Sequence, residues 1–292
     1  MGSRYNLRAL MPFTFTTCAA VMLAAGLADE TFETDTIGTF AQGPWLDLSA
    51  FPDPNPATSS KVVATTDALG AATNALAFPD ALELTTGIYL PVPQSGRYRI
   101  SAHVRIDRYS DGAISETAEW PVAVGITQLE PGPDAYASGG VQVYASSFTQ
   151  EWRLFVAPAD RVLSADIPLG LPAVIGTWYA IDLDVDAITG TFKTTITDIA
   201  TSAVLLDRTD VMKGWTPALD TLNALVVLDG ENLDNGVPFS TIPNLAVVDN
   251  ITYELGFDSP CAPEPLQGDL DGDNDVDAGD LAISGRFRLS CG

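Results

Sequence analysis

Residues 97–107 read Arg-Tyr-Arg-Ile-Ser-Ala-His-Val-Arg-Ile-Asp, and this run decides the fold. Tyr98, Ile100, Ala102, Val104 and Ile106 alternate with Arg97, Arg99, Ser101, His103, Arg105 and Asp107. Successive side chains of a strand point to opposite faces, so a period of two predicts a half-buried strand with one apolar and one polar face. Residues 179–186 repeat the pattern: Tyr179, Ile181, Leu183 and Val185 share one face, while Ala180, Asp182, Asp184 and Asp186 share the other. Ile188, Thr189 and Gly190 then turn the chain into Phe192, Thr194 and Ile196, which predicts a hairpin.

Outward from these two strands, shorter runs of the same kind cover 61–65, 82–90, 121–126, 141–146, 152–156, 203–206, 224–228 and 245–253. Clusters rich in Pro, Gly, Asn and Asp separate them, at 52–56, 131–133 and 229–236. No twelve-residue amphipathic helix stands out. Residues 29–257 therefore read as one all-β domain, a two-sheet antiparallel sandwich.

Residues 1–28 carry Arg4 and Arg8, an apolar run through Ala24 and small residues ending at Ala28. That order predicts a secretory signal peptide cut before Asp29, with a retained anchor as the alternative. No later segment reaches the length of apolar sequence that spans a bilayer, so no membrane insertion is expected after cleavage. The chain has 14 Lys+Arg against 38 Asp+Glu, a net charge of −24, and losing the leader makes it more acidic still. Such a charge excludes nucleic acid and anionic membrane surfaces as electrostatic partners. An apolar content of 46% argues for a packed core rather than an acidic disordered chain.

The C-terminal segment, 258–292, has its own chemistry. In 268–281, Gly-Asp-Leu-Asp-Gly-Asp-Asn-Asp-Val-Asp-Ala-Gly-Asp-Leu, the residues Asp269, Asp271, Asp273, Asp277 and Asp280 take the carboxylate positions of an EF-hand-type loop. Asp275 falls where such a loop offers its backbone carbonyl. The spacing predicts a Ca2+ site that orders this segment by relieving repulsion among the carboxylates, against the alternative of an acidic solvating tail. Cys261 and Cys291 bracket the loop, and an oxidising compartment would favour a disulfide between them, with free thiols or an intermolecular bridge as alternatives. Closure of that segment would contribute roughly 3–4 kcal/mol in the chain-entropy model.

Two resemblances follow from these residues. From Gly268 to about Phe287 the sequence resembles a single dockerin type I repeat, which implies a secreted protein tethered through calcium, with a cohesin-like protein as partner. Gly176-Thr177-Trp178-Tyr179-Ala180-Ile181-Asp182-Leu183-Asp184-Val185-Asp186 with Thr189-Gly190-Thr191-Phe192 resembles the central hairpin of concanavalin A-like (laminin G-like) jelly rolls. Residues 30–34 and 248–252 resemble the first and last strands of that group. The likeness implies a polysaccharide or cell-envelope glycan as ligand, which some members of the group also cleave.

A catalytic pair in hydrolases of this fold usually sits as Glu-x-Asp-x-x-Glu on one strand, and no such pattern occurs. Glu116-Thr117-Ala118-Glu119 spaces its carboxylates three apart, which sends them to opposite faces of a strand. His103 is the only histidine, so a histidine-rich zinc site is excluded. The chain thus reads as a non-catalytic binder at the cell surface or outside it, with a polysaccharide-cleaving enzyme as the rival. Two sets of residues are candidates for holding the glycan. One is a basic strip beside His103, formed by Arg97, Arg99, Arg105 and Arg108 with Arg99 and Arg105 at its centre, which would hold an acidic or sulfated polysaccharide and whose alternative role is pairing with acidic rows such as Asp182, Asp184 and Asp186. The other is a set of rings able to stack on a sugar face, Trp45, Trp120, Trp152, Trp178, Trp215, Tyr136 and Tyr144, with a core position as the alternative for each tryptophan; Tyr144, on the polar face of its strand, and Tyr136 and Trp215, in loops, are preferred.

Overall fold

The computed structural model describes residues 28–41, 43–47, 60–78, 87–92, 96–112, 119–129, 137–158, 165–216, 222–231, 233–234, 237–238 and 242–256. Every regular element among them is a strand. The expected strand at 97–107 is β6, Arg97–Arg108, and its burial alternates residue by residue. It lies between β11 (Trp178–Asp186) and β17 (Leu245–Leu255), antiparallel to both. The predicted hairpin forms from β11 and β12 (Thr191–Asp198), with Asp186 opposite Thr191. Asp186 Oδ1 accepts hydrogen bonds from the amides of Ile188 and Thr189, and Gly190 supplies the positive φ that closes the turn.

Around this centre runs the first sheet. Its order is β13 (Ala203–Val211), β12, β11, β6, β17, β4 (Ala72–Ala77) and β3 (Lys61–Thr66), with β1 (Ala28–Glu30) paired to β17 as an eighth strand. Asp29, the expected first residue after cleavage, stands opposite Thr252. The second sheet has seven strands in the order β10 (Ala165–Pro172), β9 (Glu151–Ala157), β8 (Ala137–Ala145), β7 (Glu119–Leu129), β14 (Ala224–Glu231), β5 (Gly87–Pro91) and β2 (Leu46–Asp47). A two-stranded ribbon of β15 (Leu233–Asp234) and β16 (Val237–Pro238) completes the described elements.

The core lies between the sheets. Ile100, Val104, Ile181 and Leu183 of the first meet Val124, Val143, Leu154 and Val227 of the second in one apolar cluster. Trp152 is wholly buried there, edge-on to Tyr179 at 5.3 Å between ring centres. The architecture is the all-β, two-sheet jelly-roll sandwich expected from the hairpin.

Five of the described strands, β2, β4, β10, β15 and β16, lie outside the runs expected from alternation. The end of β14 and all of β15 fall within 229–236, expected as a turn, and the first strand ends at Glu30 instead of covering 30–34. The β4 run, Ala-Thr-Asn-Ala-Leu-Ala, has one β-branched residue, and its neighbours β3 and β17 make it a strand. The β10 run contains Pro168, Gly170 and Pro172 and survives because it is an edge strand with a bulge between Pro168 and Leu171. Residues 1–27 of the leader, the calcium-loop aspartates, Cys261, Cys291 and Tyr136 lie outside the described residues.

Candidate functional site

A sandwich core needs only one face of each sheet. The seven-stranded sheet buries both. Beyond the main core, Tyr89, Ala123, Tyr144, Ala224, Val226 and Leu228 form a second apolar cluster on its other face, with Trp120 and Phe155 packed against it. The polar side chains of this face are buried as well, and they converge on Tyr144 and Arg153.

Strand alternation supplies the arrangement. In β8, Val141 and Val143 enter the core, so Gln142 and Tyr144 point the other way; in β9, Leu154 enters it and Arg153 and Phe155 do not. The hairpin register sets Tyr144 opposite Arg153 and Gln142 opposite Phe155. Asp166 on β10 completes the group. Arg153 donates to it through Nε at 2.9 Å to Oδ1 and through Nη2 at 2.7 Å to Oδ2, a two-pronged fork. The Tyr144 hydroxyl donates to the same Oδ1 at 2.6 Å. Burial, then the adjacent Asp166 carboxylate, pushes the Tyr144 hydroxyl well above the ordinary tyrosine range. The hydrogen bond from Arg153 to Asp166 holds the guanidinium firmly charged. A cation, an anion and a neutral hydroxyl thus form one closed, neutral group.

Trp120 reaches this face through a bulge. Between the pairs Leu228–Ala123 and Gly230–Trp120, β7 advances three residues while β14 advances two. The extra residue reverses the parity of β7, and Pro121, which has no N–H to give a ladder, lies in the irregular stretch. The indole settles on the backbone of Gly230, where a Cβ would stand 2.0 Å from Trp120 Cε2. Its ring centre is 5.8 Å from that of Tyr144, with the planes inclined by 60°. Gln142 lies over Gly125 in the same fashion, with Cγ 2.6 Å from where a Cβ would be.

On this face of β7 two buried polar atoms have no hydrogen-bond partner, Trp120 Nε1 and Thr127 Oγ1. Thr127 is 0% exposed and shares its face with Ala123 and Gly125. An unsatisfied buried donor or acceptor costs about 1–3 kcal/mol.

The other candidates lie elsewhere. Arg99 and Arg105 are on the outer face of the eight-stranded sheet. Arg99 bridges Asp184, at 2.5 Å from Nε, and Glu254, at 2.9 Å from Nη1. Arg105 forks onto Asp107, reaches Thr65 and the carbonyl of Thr66, and stacks over Trp178 at 5.0 Å. Arg97 pairs with Asp186, so two of the three acidic residues in the named row face an arginine across the strands. His103 Nδ1 lies 3.1 Å from the side-chain amide nitrogen Nδ2 of Asn250, at a bulge where Asn250 takes a positive φ. Trp215 is half-buried over Gly190, and its Nε1 donates to the carbonyl of Ala187 at 2.8 Å. Of the described sequence candidates, Tyr144 and Trp120 belong to the second face of the seven-stranded sheet.

Arg153, Asp166, Thr127 and Phe155 are absent from the sequence candidates. A signal for two of them exists in the alternation of β9, where an arginine and a phenylalanine fall on the face opposite the core residues. Among the described residues, no group of three His, Cys, Asp or Glu side chains is placed to hold a metal ion.

No protein-family model matches the chain, and no curated protein does. Solved structures do match. The marine PL-14 alginate lyase from Aplysia kurodai superposes with a TM-score of 0.51 at 9% identity, over 78% of this chain and 98% of the lyase. Arcelin-5, a lectin-like defence protein from Phaseolus vulgaris, gives 0.45 at 8% identity over 80% of this chain and 100% of its own. The exoplasmic/lumenal domain of VIP36 in its Ca2+/Man-bound form gives 0.47 at 8% identity, over 80% and 91%. At such identities the likeness is one of fold, a concanavalin A-like jelly roll.

Proposed function

We propose that this chain is an exported, non-catalytic carbohydrate-binding protein that holds its glycan on the second face of the seven-stranded sheet. The observation that carries the reading is the gathering of Trp120, Tyr144 and Phe155 beside Arg153, Gln142 and Thr127 on the face of the seven-stranded sheet turned away from the main core. Rings that stack on sugars and polar groups that take hydroxyls are the two things a glycan site needs. The fold shared with an alginate lyase supports a polysaccharide ligand.

The rival reading is cleavage of a polysaccharide on this same face. A tyrosine acting as base has to lose its proton near neutral pH, and Tyr144 is pushed in the opposite direction while its hydroxyl donates a hydrogen bond to Asp166. Among the described residues of this face, the arginine able to neutralise a substrate carboxylate is Arg153, and it is already neutralised by Asp166. Both points favour binding. A glycan array, followed by a reducing-sugar assay on a polysaccharide panel, tests the choice. Glycan capture without sugar release is expected, and release that Tyr144→Phe abolishes would reverse the reading.

The tail belongs to the same proposal. Gly268–Leu281 would wrap a calcium ion and tether the sandwich at the cell surface or in a secreted assembly, to a cohesin-like protein or another envelope component. The support is the aspartate register in the sequence. Equilibrium dialysis at millimolar calcium is expected to show one ion per chain, lost in Asp269→Ala/Asp280→Ala. No uptake by the wild-type chain removes the tether.

A further inference from the structure

From the exposure and the charge order of β13, we infer that two copies of this chain pair through that strand, antiparallel about a two-fold axis at Thr209, into one continuous sheet. The inference is independent of the proposed glycan site, which lies on the other sheet. β13 is the end strand of the eight-stranded sheet, nine residues long, and exposed residues alternate with half-buried ones from Leu206 to Val211. Val204, Leu205 and Val211 are 61%, 41% and 68% exposed, apolar surface that a partner strand would cover. The open edge also has backbone groups to offer. The amide of Met212 donates to the carbonyl of Gly190 at 2.7 Å, which makes these two a hydrogen-bonded pair of the ladder. Alternation along the register then turns the ladder groups of Asp210, Arg208 and Leu206 towards β12, and those of Val211, Thr209 and Asp207 towards the open edge.

Charge decides which strand this edge accepts. Residues 191–213 carry Asp198, Asp207 and Asp210 against Lys193, Arg208 and Lys213, so the segment is neutral on a chain whose net charge is −24. Two of the chain's three lysines are among them. Two copies of an acidic molecule repel least when they approach along such a segment. In a two-fold pair, residue i of one copy faces residue j of the other and j faces i. Centred on Asp207, Arg208 or Asp210, the pairing sets like charges directly opposite each other, which opposes it. Centred on Thr209, it sets Arg208 of each copy opposite Asp210 of the other, and Thr209 opposite Thr209. Arg208 and Asp210 already pair along their own strand, Nε to Oδ2 at 2.5 Å, on the side where Leu206 packs against the core. Across the axis the two pairs close into a ring of four alternating charges. Inward-turned charges on an edge ordinarily keep other chains off. Here the same two residues exclude a foreign strand and admit the chain's own copy, inverted.

The experiment is sedimentation equilibrium of the mature chain over a wide concentration range, with and without a reductant that removes any bridge through Cys261 or Cys291. One strand-to-strand seam is a small interface, so a dimer that grows with concentration and persists in reductant is expected. Arg208→Asp and Asp210→Arg should each weaken it about ten-fold, because each substitution opposes like charges twice across the axis. Both changes fall on a half-exposed edge, and both variants should keep the circular dichroism of the wild type. An equimolar mixture of the two variants should dimerise as the wild type does, since both acidic positions of one chain then face arginines of the other. A pair that serves only its own strand is not restored by mixing two chains, so the mixture separates docking from folding. A chain that stays monomeric at the highest concentration overturns the inference. So does a dimer that dissolves in reductant, a dimer that both variants leave unchanged, or a mixture no more dimeric than either variant alone.

Discussion

The outer face of the eight-stranded sheet and the second face of the seven-stranded sheet use arginine in opposite ways. On the former, Arg99 and its two carboxylates are partly open to water, and cross-strand pairing tiles a solvated surface. On the latter, Arg153 is 9% exposed at its side chain and is held by a single carboxylate that also accepts a hydrogen bond from the Tyr144 hydroxyl. Charge at the first face stays hydrated, so placing or losing it changes stability little. Charge at the second is tolerated only as a closed group. Removing Asp166 is therefore the most severe way to test the contrast. Asp166→Ala leaves a buried guanidinium without a counter-ion and should cost about 3 kcal/mol, read as a lower midpoint in urea denaturation. A loss under about 1 kcal/mol would mean that water reaches Arg153 and that the two faces are alike.

Tyr144→Phe tests the same group more gently. It deletes one donor to Asp166 but keeps the fork from Arg153, for an expected loss of about 1 kcal/mol at neutral pH. The pH dependence gives a sharper reading. Because the folded-state value of Tyr144 is raised, the folded protein holds this proton more tightly than the unfolded chain does. The stability it contributes is complete below the unfolded value, about 10, and is lost as the pH climbs through the folded value. Tyr89, Tyr109 and Tyr253 are shifted in the same direction, so the informative quantity is the difference between wild type and variant. That difference is expected to be flat up to about pH 10 and to shrink above it. A difference that grows with alkali would place Tyr144 in a setting that favours the phenolate, which is the setting a catalytic base requires.

Much of the contrast between the faces is legible in the amino-acid sequence, and the remainder is not, for identifiable reasons. The period of two in Arg97–Asp107 and Tyr179–Asp186 determines which residues of β6 and β11 face the core, and the same parity lays Arg99 and Asp184 in one outward row. Parity also places Tyr144 and Gln142 opposite the core residues of β8. It does not convey that this outward face is buried, because alternation names a side and says nothing of what stands against it. The partners are hidden for a second reason. Asp166 sits in β10, whose two prolines and glycine mask a strand, and Trp120 changes sides through a bulge that no alternation shows. Among the rings, Trp215 has the loop position of a platform, yet its half-buried ring and its bond to Ala187 make it a brace for the β11–β12 turn.

The smallest expected effect falls on the basic strip of the eight-stranded sheet. Arg99→Ala removes a side chain 37% exposed, from an ion-pair group whose carboxylates are 18% and 29% exposed. Water and salt compensate such groups well, so the loss should be about 0.5 kcal/mol and should shrink further in concentrated NaCl. Glycan affinity should not change, since on this reading the guanidinium faces carboxylates rather than ligand. Arg105→Ala should cost somewhat more stability, because the stack on Trp178 is lost with the charge, and should equally spare binding. A sulfated or uronate ligand whose affinity collapses in both variants would move the binding surface to the eight-stranded sheet. In that event the acidic row acts as a latch that the ligand displaces, and the buried group around Asp166 is a structural device alone.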